Sequence, residues 1–240
     1  MIPKIIHYVW VGNGEKDIEI KKCIKSWNEK LKDWKIIEWN EENFNIHSNS
    51  FVEKAYELRK YAFVSDYIRA YAIYNYGGIY LDTDIMVLES LEELLNNNAV
   101  IGFESKEYIS AAIFGAEKGH ALIKDLLDYY DKVQNFKYEH KDNNSIIITN
   151  ILKKKYNLNA NNTEQILNTG IHVYPSKILS VPSKDSKTIH LVTATWNKKA
   201  LKLKDKVAKK ILSNCNRKWK LCIYIKILNL YHKFKKGDYT

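Results

Sequence analysis

Residues 75–84, Asn-Tyr-Gly-Gly-Ile-Tyr-Leu-Asp-Thr-Asp, are the stretch that most constrains the fold of this chain. Two consecutive glycines accept left-handed backbone and so end a helix at little cost, and the apolar run after them favours a short buried strand. Asp82 and Asp84 stand just past the end of that strand. Open α/β sheets bind ligands at the carboxyl ends of their strands. The stretch therefore predicts a helix, a sharp stop, a strand and a polar site in succession.

The segments on either side alternate between strand and helix patterns. Strand-like runs at residues 4–11 and 34–39 enclose a helical pattern at 18–27, and a second helical pattern spans 59–76. The order strand, helix, strand is typical of an α/β protein. The same criteria predict further strands at 79–81, 85–88, 99–103, 111–114, 171–174 and 189–192, and helices at 122–133 and 145–155.

The composition excludes several classes of protein. The chain has 240 residues, of which 45% are hydrophobic and 28% charged, so it can bury a sizeable core and is not expected to be disordered. Its three cysteines show no CxxC spacing, which argues against a disulfide framework or a zinc site and favours a reducing compartment. We expect no secretory signal, because the N-terminus has neither a basic n-region nor a small-residue cleavage site. We expect no transmembrane segment, because the longest apolar stretch, residues 221–231, contains Lys226 and Asn229.

The basic charge of the chain is concentrated at its end. Residues 198–240 contain 14 Lys and Arg against two Asp, whereas residues 1–197 contain 24 basic and 26 acidic residues. We therefore divide the chain into a catalytic domain, 1–197, and a basic, amphipathic, helical extension, 198–240. The extension suits an anionic membrane surface, or equally a helix pair packed on the domain with a solvated basic face. Nucleic acid is a weaker candidate partner, because no known binding motif accompanies the charge.

Asp82 and Asp84 are the sharpest candidates for chemistry. Two carboxylates separated by one residue can approach a single hard cation, and Mg²⁺ or Mn²⁺ prefers such oxygen ligands together with phosphate oxygens. This arrangement suits a nucleoside diphosphate. The alternative is a solvated polar turn, but apolar runs on both sides would nearly bury it, and unpaired buried carboxylates are costly.

Other candidate residues are more ambiguous on their own. Asp66 and Arg69 are i, i+3 neighbours that suit sugar hydroxyls and phosphate, or else form a weak surface ion pair. His190 ends a late strand and suits a metal shell, although a lone histidine is more often structural. Trp196, six residues later, suits a sugar or phosphate. Trp10 suits stacking on a nucleobase or, equally, packing in the core.

Three segments together resemble the family 32 glycosyltransferases. They are Ile-Pro-Lys-Ile-Ile-His-Tyr-Val-Trp-Val-Gly at 2–12, Ser-Asp-Tyr-Ile-Arg-Ala-Tyr at 65–71, and the stretch at 75–84. They are also similar to the catalytic domain of the large clostridial glucosylating toxins. The resemblance covers roughly residues 2–200. It implies a GT-A fold with a Rossmann-like mixed central sheet flanked by helices, a nucleotide-sugar donor, a divalent metal, and transfer with retention of anomeric configuration.

The resemblance also implies roles for individual residues of the central blocks. Asp84 is the expected direct metal ligand, and Asp82 is expected to contact ribose, donor sugar and metal-bound water. Asp66 and Arg69 match residues that bind the donor sugar and the diphosphate. Trp10 matches the tryptophan that stacks on the base. Among these, Asp82, Asp84 and Arg69 are expected to act directly in catalysis.

The remaining matches lie beside the diphosphate and near the end of the domain. Tyr80 matches a tyrosine near the diphosphate. His190, the expected third metal ligand, and Trp196, expected on the donor, resemble a His…Ser-Trp element of the family. Thr195 replaces the usual serine, and the toxins have an acidic residue instead of the histidine. No nucleophile is evident from the sequence, so front-face attack is favoured over double displacement, by analogy only.

These observations predict a metal-dependent retaining hexosyltransferase that uses Mn²⁺ or Mg²⁺. A UDP-sugar is the favoured donor, and a lipid-linked glycan in bacterial surface-polysaccharide synthesis is the favoured acceptor. The expected location is the cytoplasm, with possible peripheral attachment to the inner face of the plasma membrane. The alternatives are a toxin-like transferase that glycosylates a host protein, a phosphoaspartyl hydrolase, and a non-enzymatic basic module that binds membrane or nucleic acid.

Overall fold

A computed structural model describes residues 1–133, 143–191, 213–214 and 220. Its first elements form the predicted strand, helix and strand: β1 (Ile5–Val9), α1 (Ile18–Lys30) and β2 (Lys35–Trp39). β1 and β2 run parallel. Across the described residues, no helix combines the length and the apolarity that crossing a membrane requires. The boundary at residues 197 and 198 lies outside the described residues, as does nearly all of the basic extension.

Two helices precede the central strand, α2 (Ser50–Glu57) and α3 (Tyr61–Tyr76), and are followed by β3 (Gly78–Leu81) and β4 (Ile85–Val87). Gly77 has φ +67° and Gly78 has φ +112°. A Cβ on Gly78 would lie 2.6 Å from the carbonyl oxygen of Ile5. The two glycines therefore end α3 as predicted, and Gly78 lets β3 lie directly against β1.

The remaining predicted elements are also present, with small shifts at their ends. α2, β7 and α6 were not predicted; they are short, with eight, three and four residues. After β4 the elements are β5 (Ala99–Phe103), β6 (Ile109–Ala116), α4 (Ala121–Asp131), α5 (Asn144–Tyr156), β7 (Gln165–Leu167), β8 (Ile171–Tyr174), α6 (Ser176–Leu179) and β9 (Thr188–His190).

Seven strands form one mixed sheet in the order β2-β1-β3-β6-β5-β8-β7. Only β6 and β7 run against the others. One face is covered by α2, α3, α4 and α5, and the other by α1, α6 and a separate antiparallel ribbon of β4 and β9. A hydrophobic core lies on each face of the sheet, and alternate residues of β3 pack into different cores. Tyr80 packs on the side of α2, α3, α4 and α5, whereas Ile79 and Leu81 pack on the side of α1, α6 and the ribbon. The prediction of an α/β protein with a mixed central sheet flanked by helices is confirmed.

His7 lies in the middle of β1 and is completely buried. Its Nε2 lies 2.7 Å from the carbonyl oxygen of Gly77, and its Nδ1 accepts a hydrogen bond from Trp39 Nε1 at 3.0 Å. These partners require a neutral ring with the proton on Nε2. Burial lowers the pKa of His7 to about 4. The hydrogen bond to Gly77 raises the pKa and so opposes this shift, whereas the charge of Lys35 lowers it further.

We expect His7 to make the fold sensitive to acid. Its folded-state pKa lies below the unfolded value, so its stabilising effect is complete above pH 6.5 and is lost as the pH falls towards 4. The shift corresponds to about 3 kcal/mol at most. Urea unfolding of wild type and His7→Gln at pH 7 and pH 4.5 tests this. Between pH 7 and pH 4.5, the free energy of unfolding of wild type should fall by about 2–3 kcal/mol more than that of the variant. An equal fall in both proteins would contradict the expected role of His7.

Candidate functional site

The turn after β3 places the two aspartates of the Asp-Thr-Asp segment at the carboxyl edge of the sheet. The backbone N–H of Asp82 still donates to Ala112 of β6, at 2.8 Å, and the N–H of Ile85 then donates to the carbonyl of Asp82, at 2.9 Å. The chain therefore leaves the sheet immediately after Asp82. Asp84 is buried, while Asp82 is partly exposed. This is the position at which the sequence predicted a ligand site.

The ribbon of β4 and β9 brings His190 to this turn. Its register pairs Ile85 with His190, and the N–H of Leu191 donates to the carbonyl of Asp84 at 3.0 Å. His190 Nε2 consequently lies 3.1 Å from Asp84 Oδ1. Burial opposes protonation of His190, but the carboxylates, Asp84 above all, outweigh it and raise its pKa to about 9.

Asp82, Asp84 and His190 form a candidate metal centre. One ligand atom from each of them lies within 4.8 Å of the others, and no other such group of three occurs in the described part of the chain. Two carboxylates and an imidazole are a suitable donor set for Mn²⁺ or Mg²⁺. The strand that follows Asp84 is fixed to a helix behind it. Trp27 of α1 donates from Nε1 to the carbonyl of Ile85 in β4 at 2.7 Å.

Arg69 of α3 is buried behind the turn and is held by several partners. Its Nη2 lies 3.1 Å from Asp66 Oδ1 and 3.2 Å from Asp82 Oδ1, and donates to Ser65 Oγ at 2.7 Å. Its Nη1 donates to the carbonyl of Ala111 at 2.6 Å, and its Nε to the carbonyl of Ser65 at 3.2 Å. Asp66 and Arg69 do form the intrahelical ion pair that was the alternative interpretation, but the pair is buried and not at the surface, since Arg69 is only 5% exposed and Asp66 9%.

Tyr80 gives Asp82 a second fixed contact. Its hydroxyl donates to Asp82 Oδ1 at 2.7 Å, and its ring lies 4.5 Å from the guanidinium of Arg69. Burial raises the pKa of Tyr80 well above its usual value, so the phenol stays a donor at neutral pH. Tyr80 and Arg69 thus hold the same oxygen of Asp82 and orient its carboxylate.

Asp66 is linked to a residue that the sequence analysis missed. Asn144, the first residue of α5, donates from Nδ2 to Asp66 Oδ1 at 2.9 Å. Burial raises the pKa of Asp66 to about 6, although Arg69 and Asn144 oppose the shift. Asn144 stands in an asparagine-rich stretch whose sequence predicts a loop, so no local signal indicated it. Glu104, which follows β5, was also missed, although its place after a strand could have indicated it.

Trp10 follows β1, which runs parallel to β3, so it lies at the same edge of the sheet as Asp82. Its ring is partly buried, its Nε1 donates to the carbonyl of Gly14 at 2.6 Å, and Lys16 Nζ lies 5.2 Å from the ring. Stacking of a base on Trp10 stays a prediction, as do the roles of the other predicted site residues. Trp196 lies outside the described residues.

Comparisons with known proteins find similarity to glycosyltransferases. Residues 17–101 match the family described as "Glycosyltransferase sugar-binding region containing DXD motif". The chain is 32% identical over 129 residues to Inositol phosphoceramide mannosyltransferase 3 of Schizosaccharomyces pombe, covering 51% of this chain and 35% of that protein. It is 35% identical over 72 residues to Lactosylceramide 4-alpha-galactosyltransferase of Homo sapiens, covering 28% and 20%. The solved PaToxG Glycosyltransferase is 14% identical with a TM-score of 0.49, covering 64% and 69%.

The chain spans well under half the length of both curated relatives. The family match includes α3, β3 and the Asp82–Asp84 turn, whereas Trp10 and His190 lie outside it. The resemblance inferred from the three sequence segments is thereby confirmed. Residues 17–101 are therefore similar to the glycosyltransferases that contain a DXD motif.

Proposed function

We propose that the protein is a metal-dependent retaining glycosyltransferase that moves a sugar from a nucleotide-sugar donor to a glycan. The observation that supports this most directly is the grouping of Asp82, Asp84 and His190 within 4.8 Å at the carboxyl edge of the sheet. The family match over residues 17–101 supports the reaction class. Retention rests on the resemblance to the family 32 enzymes.

Asp82, Asp84 and His190 would hold the metal ion, with Mn²⁺ or Mg²⁺ as the expected species. When bound there, the ion supplies positive charge to the diphosphate that leaves during transfer. The carboxylates are oriented before any ligand arrives, because Tyr80 and Arg69 both contact Asp82 Oδ1. Preorganised charge of this kind costs no rearrangement during the reaction.

Arg69 is proposed here as a positioning residue. Its side chain is buried and each of its three guanidinium nitrogens already has a protein partner, so we assign it mainly to holding Asp82 and Asp66 and not to the direct bond to the donor that the resemblance implies. Its charge still contributes to the site from within the core. Its main effect would be to fix Asp82 and Asp66 relative to each other.

The donor and acceptor are proposed from the sequence and the relatives. A UDP-sugar is favoured through the toxin-like segment around Trp10, while the name of the yeast relative, a mannosyltransferase, favours GDP-mannose. Both relatives named above act, by their names, on ceramide-containing acceptors, which supports a lipid-linked saccharide. We propose bacterial surface-polysaccharide synthesis in the cytoplasm, with the basic extension attached to the inner face of the plasma membrane.

Thermal unfolding with nucleotides tests the donor site. We expect UDP or GDP to raise Tm in the presence of Mn²⁺ and to have little effect with a chelator, because the diphosphate needs the metal. At a hundredfold excess over Kd the shift should be roughly 5–10 °C.

Uridine and guanosine are matched controls, since they keep the base and ribose but lack the diphosphate. Mixing the protein with the corresponding nucleotide sugar and Mn²⁺ should then release the nucleoside diphosphate. A well-folded protein that neither nucleotide stabilises, and that cleaves no nucleotide sugar, would overturn the proposed function.

A further inference from the structure

Glu104 has a carboxylate beside the candidate site that is neither one of the three candidate metal ligands nor a partner of Arg69. It directly follows β5, which runs in the same direction as β3 with β6 between them. It is therefore at the same edge of the sheet as Asp82. Its carboxylate is close enough to interact electrostatically with both His190 and Asp82.

The protein holds one of the two carboxylate oxygens of Glu104. Ser145 Oγ donates to Glu104 Oε2 at 3.0 Å, whereas the other carboxylate oxygen has no hydrogen-bond partner among the residues that the structure describes. Burial raises the pKa of Glu104, against the hydrogen bond from Ser145 and the charge of His190. A partly buried carboxylate with one oxygen fixed and one open is arranged to accept hydrogen bonds from a ligand.

The support for Glu104 is rigid and continuous with the rest of the site. Ser145 lies in the first turn of α5 beside Asn144, which contacts Asp66. Thr149, one turn later, accepts from the N–H of Ile109 in β6 at 2.9 Å and donates to the carbonyl of Ser145 at 2.6 Å. The start of α5 is thus fixed to the sheet and joins Glu104 to the Asp66–Arg69 pair.

The chemistry of a carboxylate limits what Glu104 can bind. An ionised carboxylate only accepts hydrogen bonds, and the oxygens of a nucleoside diphosphate also only accept, so the two repel each other. Sugar hydroxyls donate. The transferred sugar is covalently attached to the diphosphate, whose expected place is at Asp82, Asp84 and His190, so its hydroxyls come within reach of a neighbouring acceptor.

We propose that Glu104 binds hydroxyl groups of the transferred sugar and so contributes to the choice of donor sugar. The inference rests on the proposed function, because it assumes that a nucleotide sugar binds at the metal centre. Ser145 acts as a positioning residue that holds one oxygen of Glu104 and presents the other.

The test compares nucleotide with nucleotide-sugar binding by calorimetry with Mn²⁺. The probes are UDP, UDP-glucose, UDP-galactose, GDP and GDP-mannose, and the proteins are wild type, Glu104→Gln, Glu104→Ala and Ser145→Ala. For the sugar nucleotide that wild type prefers, both Glu104 variants should weaken binding about tenfold or more, the range for a hydrogen bond to a charged group, while binding of the bare diphosphate changes less than about twofold. Ser145→Ala should give a smaller loss of the same kind.

Glu107→Gln is the matched control, because Glu107 lies in the same loop and is exposed; it should change neither affinity. Binding of the bare diphosphate also shows that each variant is folded at the site. Equal weakening of diphosphate and sugar nucleotide, or no weakening of either, would overturn the inference. If wild type itself binds no nucleotide with Mn²⁺, the proposed function is wrong and the inference falls with it.

Discussion

Arg69→Met is expected to lower the free energy of unfolding by about 3–5 kcal/mol, the usual cost of removing one partner of a buried ion pair. Methionine is unbranched and flexible enough to fill much of the same space, so the loss comes mainly from charge. Asp66 would be left buried without its cation, and Asp82 would lose one of the two contacts on Oδ1. Urea unfolding at pH 8 measures the effect.

The pH dependence of the loss identifies its cause. Without Arg69 the pKa of Asp66, already raised to about 6 by burial, should rise further, so protonation at pH 5 removes the unpaired charge and the deficit of the variant shrinks. Asp66→Asn placed on Arg69→Met should recover part of the stability at pH 8. A deficit that is the same at both pH values would attribute the loss to packing instead.

Lys54→Met is the matched control for this experiment. Lys54 and Glu57 form an ion pair of the same i, i+3 spacing, with nitrogen and oxygen 2.9 Å apart, but both side chains are more than half exposed. Exposed pairs of this kind contribute little to stability, so Lys54→Met should leave the free energy of unfolding nearly unchanged. A loss in Lys54→Met that equals the loss in Arg69→Met would contradict the importance of burial.

Asp84→Asn is expected to reduce kcat/KM for the nucleotide sugar at least a hundredfold, the scale seen when one preorganised charge-stabilising group is removed. The amide keeps the size of the side chain but replaces an anionic ligand with a neutral one, so the metal and the diphosphate are both held more weakly. Steady-state release of nucleoside diphosphate across a Mn²⁺ titration measures the loss.

Two comparisons make the Asp84 experiment specific. Asp33→Asn makes the same chemical change at an exposed residue whose partner is Lys4, at 2.6 Å, and should leave turnover unchanged. Unfolding of Asp84→Asn should remain cooperative, which separates lost function from lost structure. If the variant keeps turnover within about threefold of wild type at all Mn²⁺ concentrations, Asp84 is not a metal ligand in the reaction.

The features that the sequence predicted well are local ones. The stop at Gly77, the strand after it and the aspartates beyond that strand follow one another along the chain, so short-range patterns suffice. The contact between His190 and Asp84 depends instead on the register of β4 with β9, which no local pattern specifies. The sequence pointed to both residues, but only the assembled ribbon places them together.

The burial of Arg69 was missed for a different reason. Helical periodicity identifies one apolar face of α3 and places Asp66 and Arg69 on a different face. In the structure, α3 also packs against β6 and α4, and Asn144 of α5 contacts Asp66, so the helix is enclosed on more than one side. A charged pair that other elements cover cannot be recognised from the helix alone.

The ribbon of β4 and β9 also has a consequence for the order of folding. Asp84 and His190 belong to strands far apart in the sequence, and closing so long a loop is entropically slow compared with forming the β3 turn. Asp82 and Asp84 can therefore adopt their native turn before the third ligand arrives. Full affinity for the metal should develop only when β9 docks, so Mn²⁺ binding in a refolding experiment would report the last long-range step rather than the formation of the sheet.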